Sequence, residues 1–182
     1  MSTASVQPKT LLVVLGSGGH TSEMLTLLAT LDRSKFAPRV YCAADSDSLS
    51  LDKVRAGIER GQREGSDFVT VTIARSREVK QGWLSSFWTT LIATFYALSI
   101  WWQHKPDVIL CNGPGTCVPL CIVALLLRCF KRTKIIYVES FTRVKSLSLS
   151  GKILYWFSDR FIVQWEDLRK EYPKAEYLGK LL

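Results

Sequence analysis

The stretch from residue 10 to residue 21 reads TLLVVLGSGGHT, and the rest of the architecture can be worked out from it. Leu11 to Leu15 form a continuous apolar run, which predicts a short strand buried on both faces. The run GSGGH then turns the chain, and Thr21 or Ser22 is predicted to cap the helix that follows. A strand, a glycine turn and a helix N-terminus together expose free backbone N–H groups. We therefore expect a phosphate-binding loop here; the alternative is an ordinary tight turn without a ligand.

The composition indicates one globular domain with an excess of positive charge. The 182 residues are 47% hydrophobic, and 24 Lys and Arg outnumber 16 Asp and Glu, which favours anionic partners. The sequence has no zinc finger, RNA-binding aromatic motif or basic tail, so no nucleic-acid partner is expected. The five cysteines lack C-x-x-C spacing and lie in apolar runs, which predicts reduced thiols in the core.

Predicted strands and helices alternate along the chain. Strands are expected at residues 11–15, 38–43, 67–73, 108–111, 133–138, 160–164 and 175–178. Helices are expected from Thr21 or Ser22 through Leu31 and at residues 48–63, 83–102, 117–130, 148–158 and 165–172. The alternation predicts an α/β fold, a Rossmann-like parallel sheet with helices on both faces. Residues 10–182 would form this single lobe, and the polar residues 1–9, which carry no secretory apolar run, a disordered lead.

Ligands of such sheets bind at the carboxyl ends of the strands, and three marked features fall on that edge. They are the first glycine loop with His20, the second glycine turn NGPGT at residues 112–116, and Glu139 after the fifth strand. We expect the two loops to bind a diphosphate through Gly16, Ser17, Gly18, Gly19, Thr21, Asn112, Gly113, Gly115 and Thr116. His20 or Glu139 could take a proton from an attacking hydroxyl. The alternatives are a structural His20 and a Glu139 that pairs with Arg143 at the surface.

Other nucleotide and metal motifs are weak or absent. Asp45 and Asp47 could hold a ribose or a metal, but a loop and helix cap is the favoured interpretation, so no metal site is predicted. A dinucleotide fingerprint would need glycine at the position of Thr21, and no Walker lysine follows the first loop. These observations argue against a dinucleotide-dependent oxidoreductase and a P-loop enzyme.

The run from Trp83 to Trp102 is twenty residues long, carries no charge and contains four Trp. A helix of this length reaches roughly 30 Å, enough to cross a bilayer. We expect it not to cross, because the strands on either side of it should belong to one sheet. The favoured alternative is a helix lying in a membrane interface, ahead of a buried crossover helix. The expected membrane contacts are Trp83, Phe87, Trp88, Phe95, Trp101 and Trp102, with the basic residues Arg75, Arg77 and Lys80 beside them.

Four segments resemble a known family. GSGGHTSEM, CNGPGT, the block from Glu139 to Trp165, and EYPKAEYLGKLL are similar to the eukaryotic acceptor-side subunit of the two-chain UDP-N-acetylglucosamine transferase, the Alg14 family. The similarity runs from about Thr10 to the last residue. It implies a lobe equivalent to the N-terminal, acceptor-binding lobe of a GT-B glycosyltransferase. The implied reaction adds the second GlcNAc, β-1,4-linked, to GlcNAc-diphosphate-dolichol during N-glycan precursor synthesis.

The resemblance also implies partners and a location. A separate, soluble chain would bind UDP-GlcNAc, and this chain would be inactive without it. The present chain would bind the lipid acceptor and recruit that partner to the cytosolic face of the endoplasmic reticulum membrane, with Leu181 and Leu182 in the docking tail. The resemblance carries the G-x-G-G-H loop and Glu139 onto the acceptor site of an inverting transferase that needs no cofactor or metal.

One departure from the family pattern concerns attachment. Family members usually have a transmembrane helix before the first strand, whereas this sequence has a short polar lead. We expect attachment either through the region from Trp83 to Trp102 and the basic loops, or through a recruiting partner. Two other functions remain open at this stage. One is a non-catalytic membrane scaffold, and the other is a lone Rossmann-like nucleotide-binding module.

Overall fold

The computed structural model describes residues 7–74 and 83–181, and side chains in the third helix from residue 88 onward. Within these residues the strands are β1 Leu11–Val14, β2 Arg39–Ala44, β3 Phe68–Ile73, β4 Val108–Cys111, β5 Lys134–Val138, β6 Arg160–Val163 and β7 Glu176–Tyr177. The α-helices are α1 Gly19–Ala29, α2 Ser48–Ala56, α3 Trp83–His104, α4 Cys117–Leu126, α5 Leu149–Leu154 and α6 Glu166–Glu171. Short 3₁₀ turns lie at Arg33–Lys35 and Leu127–Cys129.

The strands form one parallel sheet in the order β3-β2-β1-β4-β5-β6-β7. Leu12 of β1 pairs with Val40 of β2 on one side and with Ile109 of β4 on the other. The strand order therefore reverses at β1, which creates a crevice between β1 and β4 at the carboxyl edge. The predicted Rossmann-like parallel sheet is confirmed.

Strand β1 is buried on both faces, as its continuous apolar run predicts. Leu11 and Val13 pack with residues of α1 and α2, including Met24 and Val54. Leu12 and Val14 pack on the opposite face, in the core that residues of α3, α4, α5 and α6 help to form. With helices on both sides, no residue of β1 meets water.

The predicted start of α1 and the predicted end of α2 are wrong. Helix α1 begins at Gly19, before the predicted caps, because Gly18 adopts φ +63°, a conformation natural to glycine. Helix α2 ends at Ala56 instead of residue 63, and the N–H of Gly57 closes it on the carbonyl of Lys53. The following turn carries Glu59 back into the core.

Glu59 forms a buried ion pair with Arg39. The Nε and Nη2 atoms of Arg39 lie 2.6 and 2.8 Å from the two carboxylate oxygens of Glu59. Tyr41 donates a hydrogen bond to the same carboxylate, and the third guanidinium nitrogen donates to the carbonyl of Phe36. Burial raises the pKa of Tyr41, so its hydroxyl stays a donor. The cluster fixes the residues after α2 against β2.

The cysteine prediction holds for four of the five residues. Cys42, Cys111, Cys117 and Cys121 are free thiols in the core, whereas Cys129 is exposed. Cys129 lies in the exposed 3₁₀ turn between α4 and β5, so its apolar surroundings in the sequence do not bury it. Burial raises the pKa of Cys42 to about 12, so this thiol stays protonated.

Candidate functional site

A cavity of about 550 Å³ opens at the carboxyl edge of β1, β2 and β4, beside the reversal of strand order. Both predicted glycine loops line it. The lining residues that the sequence predicts are His20 and the diphosphate candidates Gly16, Ser17, Gly18, Gly113, Gly115 and Thr116. The loops also touch each other, since a Cβ atom on Gly16 would lie 2.8 Å from Cβ of Pro114. The structure thus brings together two turns that lie far apart in the sequence.

The first loop ends at a helix N-terminus suited to an anion. Gly18 is the N-cap of α1 and provides no side-chain hydrogen bond, and the first turn contains no acidic residue. By contrast, α2 and α5 are capped by the side chains of Asp47 and Ser148. The first backbone N–H groups of an α-helix have no acceptor within the helix. In α1 they are available to a ligand at the cavity rim.

His20 lies between the two glycine loops. Its Nδ1 atom is 3.2 Å from Oδ1 of Asn112, and Nδ2 of Asn112 donates to the carbonyl of Val138, which fixes the orientation of the amide. An amide oxygen accepts, so Nδ1 of His20 carries the hydrogen and Nε2 keeps its lone pair. This tautomer suits a base that takes a proton on Nε2.

Two predicted diphosphate ligands have other tasks. Asn112 is fully buried behind His20 and does not line the cavity. The buried hydroxyl of Thr21 donates to the carbonyl of Gly16 and lies 2.6 Å from Oγ of Ser50. These side chains hold His20 and the first loop and do not line the cavity, and diphosphate binding by the two residues stays a prediction. Gly19 is exposed in the first turn of α1 and can offer only its backbone.

Glu139 does not face the cavity. Its buried carboxylate accepts hydrogen bonds from the N–H of Ser140 at 3.1 Å and from the N–H and hydroxyl of Ser148 at 3.0 and 3.1 Å. Burial raises the pKa of Glu139, and the hydrogen bonds from Ser148 oppose that rise. A Cβ atom on Gly151 would lie 2.3 Å from the carboxylate. In this structure Glu139 braces the loop before α5, a geometry that does not support the predicted role as base.

Thr116 carries an unused hydroxyl. The residue is buried, lines the cavity and precedes α4, yet its Oγ1 atom has no hydrogen-bond partner among the described residues. A buried hydroxyl without a partner costs free energy, so such groups usually meet water or a ligand. The predicted binding role of Thr116 fits this geometry.

The third wall of the cavity comes from the loop after β2, which the sequence did not predict to be part of the site. Asp47 accepts from the N–H and the hydroxyl of Ser50, so the favoured capping interpretation of this aspartate is confirmed. Lys53 lies two turns into α2, lines the cavity and forms no ion pair with any residue in the described ranges. The sequence feature that could have indicated this wall is the position of the loop directly after β2, the strand next to β1. Neighbouring parallel strands end at the same edge of the sheet, so the loops that follow them lie close together.

Helix α3 packs against the sheet on one side and exposes aromatic residues on the other. Phe95 and Trp102 are 67% and 55% exposed, and Trp88 is also exposed. Trp101 is only 2% exposed, and its indole N–H donates to Thr133, so its prediction as a membrane contact is wrong. Trp101 and Trp102 are adjacent on a helix, and packing of Trp101 on the sheet turns Trp102 outward.

Most of the other residues predicted to contact the membrane or a partner lie outside the part of the chain that the structure describes. Arg75, Arg77, Lys80 and Leu182 lie outside the described residues, as do the side chains of Trp83 and Phe87. The N–H of Leu181 donates to Oε1 of Gln164 at 2.9 Å, and its predicted contact with a partner stays a prediction. In the described ranges, no helix has both the length and the hydropathy that crossing a membrane requires.

Two solved structures show a similar fold. MurG of Acinetobacter baumannii matches 95% of this chain and 46% of its own length, with a TM-score of 0.68 at 16% identity. UGT89C1 of Arabidopsis thaliana, complexed with UDP, matches 97% of this chain and 53% of its own length, with a TM-score of 0.59 at 13% identity. The chain spans about half the length of these two structures. At such identities the likeness shows the fold alone.

Sequence relatives are far closer. A family model described as "Oligosaccharide biosynthesis protein Alg14 like" matches residues 11–181. The UDP-N-acetylglucosamine transferase subunit ALG14 of Rattus norvegicus is 48% identical over 179 residues, covering 94% of this chain and 82% of the relative. The subunit of the same name in Schizosaccharomyces pombe is 48% identical over 175 residues, with the same coverage. With a model that matches nearly the whole sequence and relatives this similar, the chain belongs to the Alg14 family of oligosaccharide biosynthesis proteins.

Proposed function

We propose that this chain is the acceptor-binding subunit of a two-chain UDP-GlcNAc transferase. The reaction adds a second GlcNAc, β-1,4-linked, to GlcNAc-diphosphate-dolichol in N-glycan precursor synthesis. The observation that carries this proposal is 48% identity, over 94% of the chain, to a relative named as a UDP-N-acetylglucosamine transferase subunit. The Rossmann-like parallel sheet, shared with MurG, supports it, and the donor UDP-GlcNAc binds to a separate partner chain.

The acceptor diphosphate binds in the cavity between the glycine loops. The first-turn N–H groups of α1 and the unused hydroxyl of Thr116 approach it from two sides. The ammonium group of Lys53 supplies a positive charge from the third wall. Donors from three separate segments of the chain suit a diphosphate, which presents oxygen atoms in several directions.

His20 acts as the general base. As the oxygen of the acceptor's 4-hydroxyl attacks the anomeric carbon of the donor GlcNAc, its proton passes to Nε2 of His20. The bond from the anomeric carbon to UDP breaks in the same displacement, so UDP leaves with that electron pair and the configuration inverts. The hydrogen bond from Nδ1 to Asn112 supports this role, because it keeps the Nε2 lone pair available.

The chain acts at the cytosolic face of the endoplasmic reticulum membrane and recruits its soluble partner there. The exposed apolar side of α3 lies in the membrane interface through Trp88, Phe95 and Trp102. The ammonium of Lys105 lies 5.7 Å from the ring centroid of Trp102, and Phe130 packs edge-on against the same ring. Aromatic rings beside a cation are typical of interface-binding surfaces. The tail with Leu181 and Leu182 docks the partner.

The test is GlcNAc transfer from UDP-GlcNAc to a GlcNAc-diphosphate-lipid, measured with this chain alone, the partner alone and both together. We expect transfer only with both chains. Transfer by this chain alone would mean that it contains a donor site and that the two-chain proposal is wrong. No transfer by the pair would favour a lone Rossmann-like binding module.

The His20→Ala variant in the active pair separates catalysis from scaffolding. We expect kcat to fall roughly 10²–10⁴-fold, the usual contribution of a general base. A variant that keeps its kcat and raises only the acceptor KM would instead support a scaffold that binds lipid while the partner supplies the chemistry.

A further inference from the structure

A carboxylate lies beside the base and has no assigned role. Glu23 is one helical turn after His20 on α1, and its Oε2 atom lies 4.0 Å from Nδ1 of the imidazole. This oxygen is screened from solvent and accepts no hydrogen bond from any described residue. A desolvated carboxylate oxygen without a hydrogen bond is costly unless a positive charge compensates it. Among the described residues, the ring of His20 is the group within 4.0 Å of this oxygen that can become positive.

The second oxygen of the Glu23 carboxylate accepts a hydrogen bond from a residue that follows another strand. The hydroxyl of Ser140, after β5, donates to Oε1 of Glu23 at 2.9 Å. Oγ of Ser140 also lies 2.9 Å from Oγ1 of Thr142. Because Ser140 gives its only proton to Glu23, Thr142 donates to Ser140. This chain of hydrogen bonds fixes the Glu23 carboxylate near His20 instead of leaving it free on the surface of α1.

We propose that Glu23 is a positioning residue for the base: it offsets the positive charge that His20 gains when Nε2 takes the acceptor proton. This inference rests on the proposed function of His20. Asn112 holds the ring from one side and keeps the neutral tautomer, while Glu23 stabilises the protonated ring. Glu23 itself neither touches substrate nor exchanges a proton, so it acts only through His20.

Other charged groups around His20 do not supply this compensation. Asp47 and Lys53 line the same cavity from the α2 side and carry opposite charges. Glu139 lies behind the loop after β5, where serine N–H and hydroxyl groups surround its carboxylate. In the described part of the chain, Glu23 is the carboxylate that forms an ion-pair contact with His20.

The direct test is the titration of the imidazole signals by NMR in the full 182-residue chain, without partner or substrate. The chain has two histidines, so His104 at the end of α3 is an internal reference. In Glu23→Gln we expect the His20 signals to titrate at a pH lower by about half a unit or more, because a nearby negative charge favours imidazolium. The His104 midpoint should not move. An unchanged His20 midpoint would overturn the proposal.

The second readout is the pH–rate profile of the active pair. Glu23→Gln should lower kcat about tenfold and move the rising limb of the profile to lower pH, with the acceptor KM within about threefold of wild type. Glu171 is an exposed residue of α6, and Glu171→Gln removes the same charge. This variant should change neither kcat nor the position of the rising limb. A lower kcat without movement of the limb would indicate a merely structural role and contradict the proposal.

The two readouts also separate this inference from the proposed function. If the pair transfers no sugar but the NMR midpoint moves, the transferase proposal fails while the His20–Glu23 coupling stands. If Glu23→Gln does not fold, Ser140→Ala tests the same contact, since it releases one end of the carboxylate and keeps its charge. The His20 midpoint should then move in the same direction by a smaller amount, and no movement would refute the coupling.

Discussion

Oδ1 of Asn112 lies 3.2 Å from Nδ1 of His20, although the two residues are 92 positions apart. The contact exists because β1 and β4 are neighbours in the sheet, so the turns that follow them meet at one edge. It joins the two glycine loops and sets the tautomer of the proposed base. The candidate site therefore depends on the strand order as much as on either loop.

Replacing Asn112 tests whether it orients His20 or binds ligand. Asn112→Ala removes the acceptor for Nδ1–H, so we expect kcat of the active pair to fall about tenfold or more, with acceptor KM within about threefold. Steady-state kinetics over a range of acceptor concentrations measures both. A raised KM with unchanged kcat would instead support the prediction that Asn112 binds the diphosphate.

The unused hydroxyl of Thr116 offers an isosteric test of ligand binding. Thr116→Val should raise the acceptor KM severalfold without lowering the free energy of unfolding, because the hydroxyl has no protein partner to lose. Thr133→Val is the matched control, since the Thr133 hydroxyl accepts from Trp101 and donates to the carbonyl of Pro106. Thr133→Val should lower the free energy of unfolding by about 1–3 kcal/mol and leave the acceptor KM unchanged. Loss of stability in Thr116→Val would contradict this interpretation.

Gly113 tests the packing of His20. The residue has φ +80°, and a Cβ atom there would lie 2.8 Å from Cε1 of the imidazole. Gly113→Ala should displace the ring and reduce kcat strongly. Gly65 also has a positive φ, but a Cβ atom there would have no neighbouring atom within 4 Å. Gly65→Ala should therefore lower the free energy of unfolding by about 1 kcal/mol and leave kcat unchanged. Equal kinetic effects in the two variants would show that displacement of His20 is not the cause.

The Arg39–Glu59 pair should dominate the stability of the region after α2. Glu59→Leu leaves a buried guanidinium without its partner and should cost about 3–5 kcal/mol in urea unfolding. The double variant Arg39→Met/Glu59→Leu should recover much of that loss, because no charge is left buried. Breaking the exposed pair of Arg160 with Glu176 should cost no more than about 1 kcal/mol. Additive losses in the double variant would argue against direct coupling.

The exposed side of α3 can be tested with vesicles. Phe95→Ser/Trp102→Ser should lower co-sedimentation of the chain with anionic lipid vesicles at least tenfold, because it removes two large aromatic contacts from the interface. Leu178→Ser is the control, since Leu178 is an exposed apolar residue that follows β7, the strand at one edge of the sheet. Equal binding of the wild type and the double variant would show that attachment depends on something other than this face.

The sequence by itself determined the fold and the position of the site along the chain. The apolar run of β1 is buried on both faces, and the alternation of strands and helices leads to a parallel sheet by general rules of packing. The G-x-G-G-H loop follows the first strand, and ligands bind at that edge of such sheets. Both conclusions need only the local sequence pattern, so they do not require the tertiary structure.

Tertiary structure alone decided which side chains face the site. Trp101 and Trp102 are identical in type and adjacent, and an apolar run without periodicity cannot show which one packs on the sheet. Glu139 and Glu23 are both carboxylates near the edge, yet only Glu23 lies beside His20. Glu59 enters the core because α2 ends early and the turn after it brings the carboxylate to Arg39 of β2. The burial of Trp101, Glu59 and Glu139 depends on packing against other elements of the fold, which the local sequence pattern does not specify.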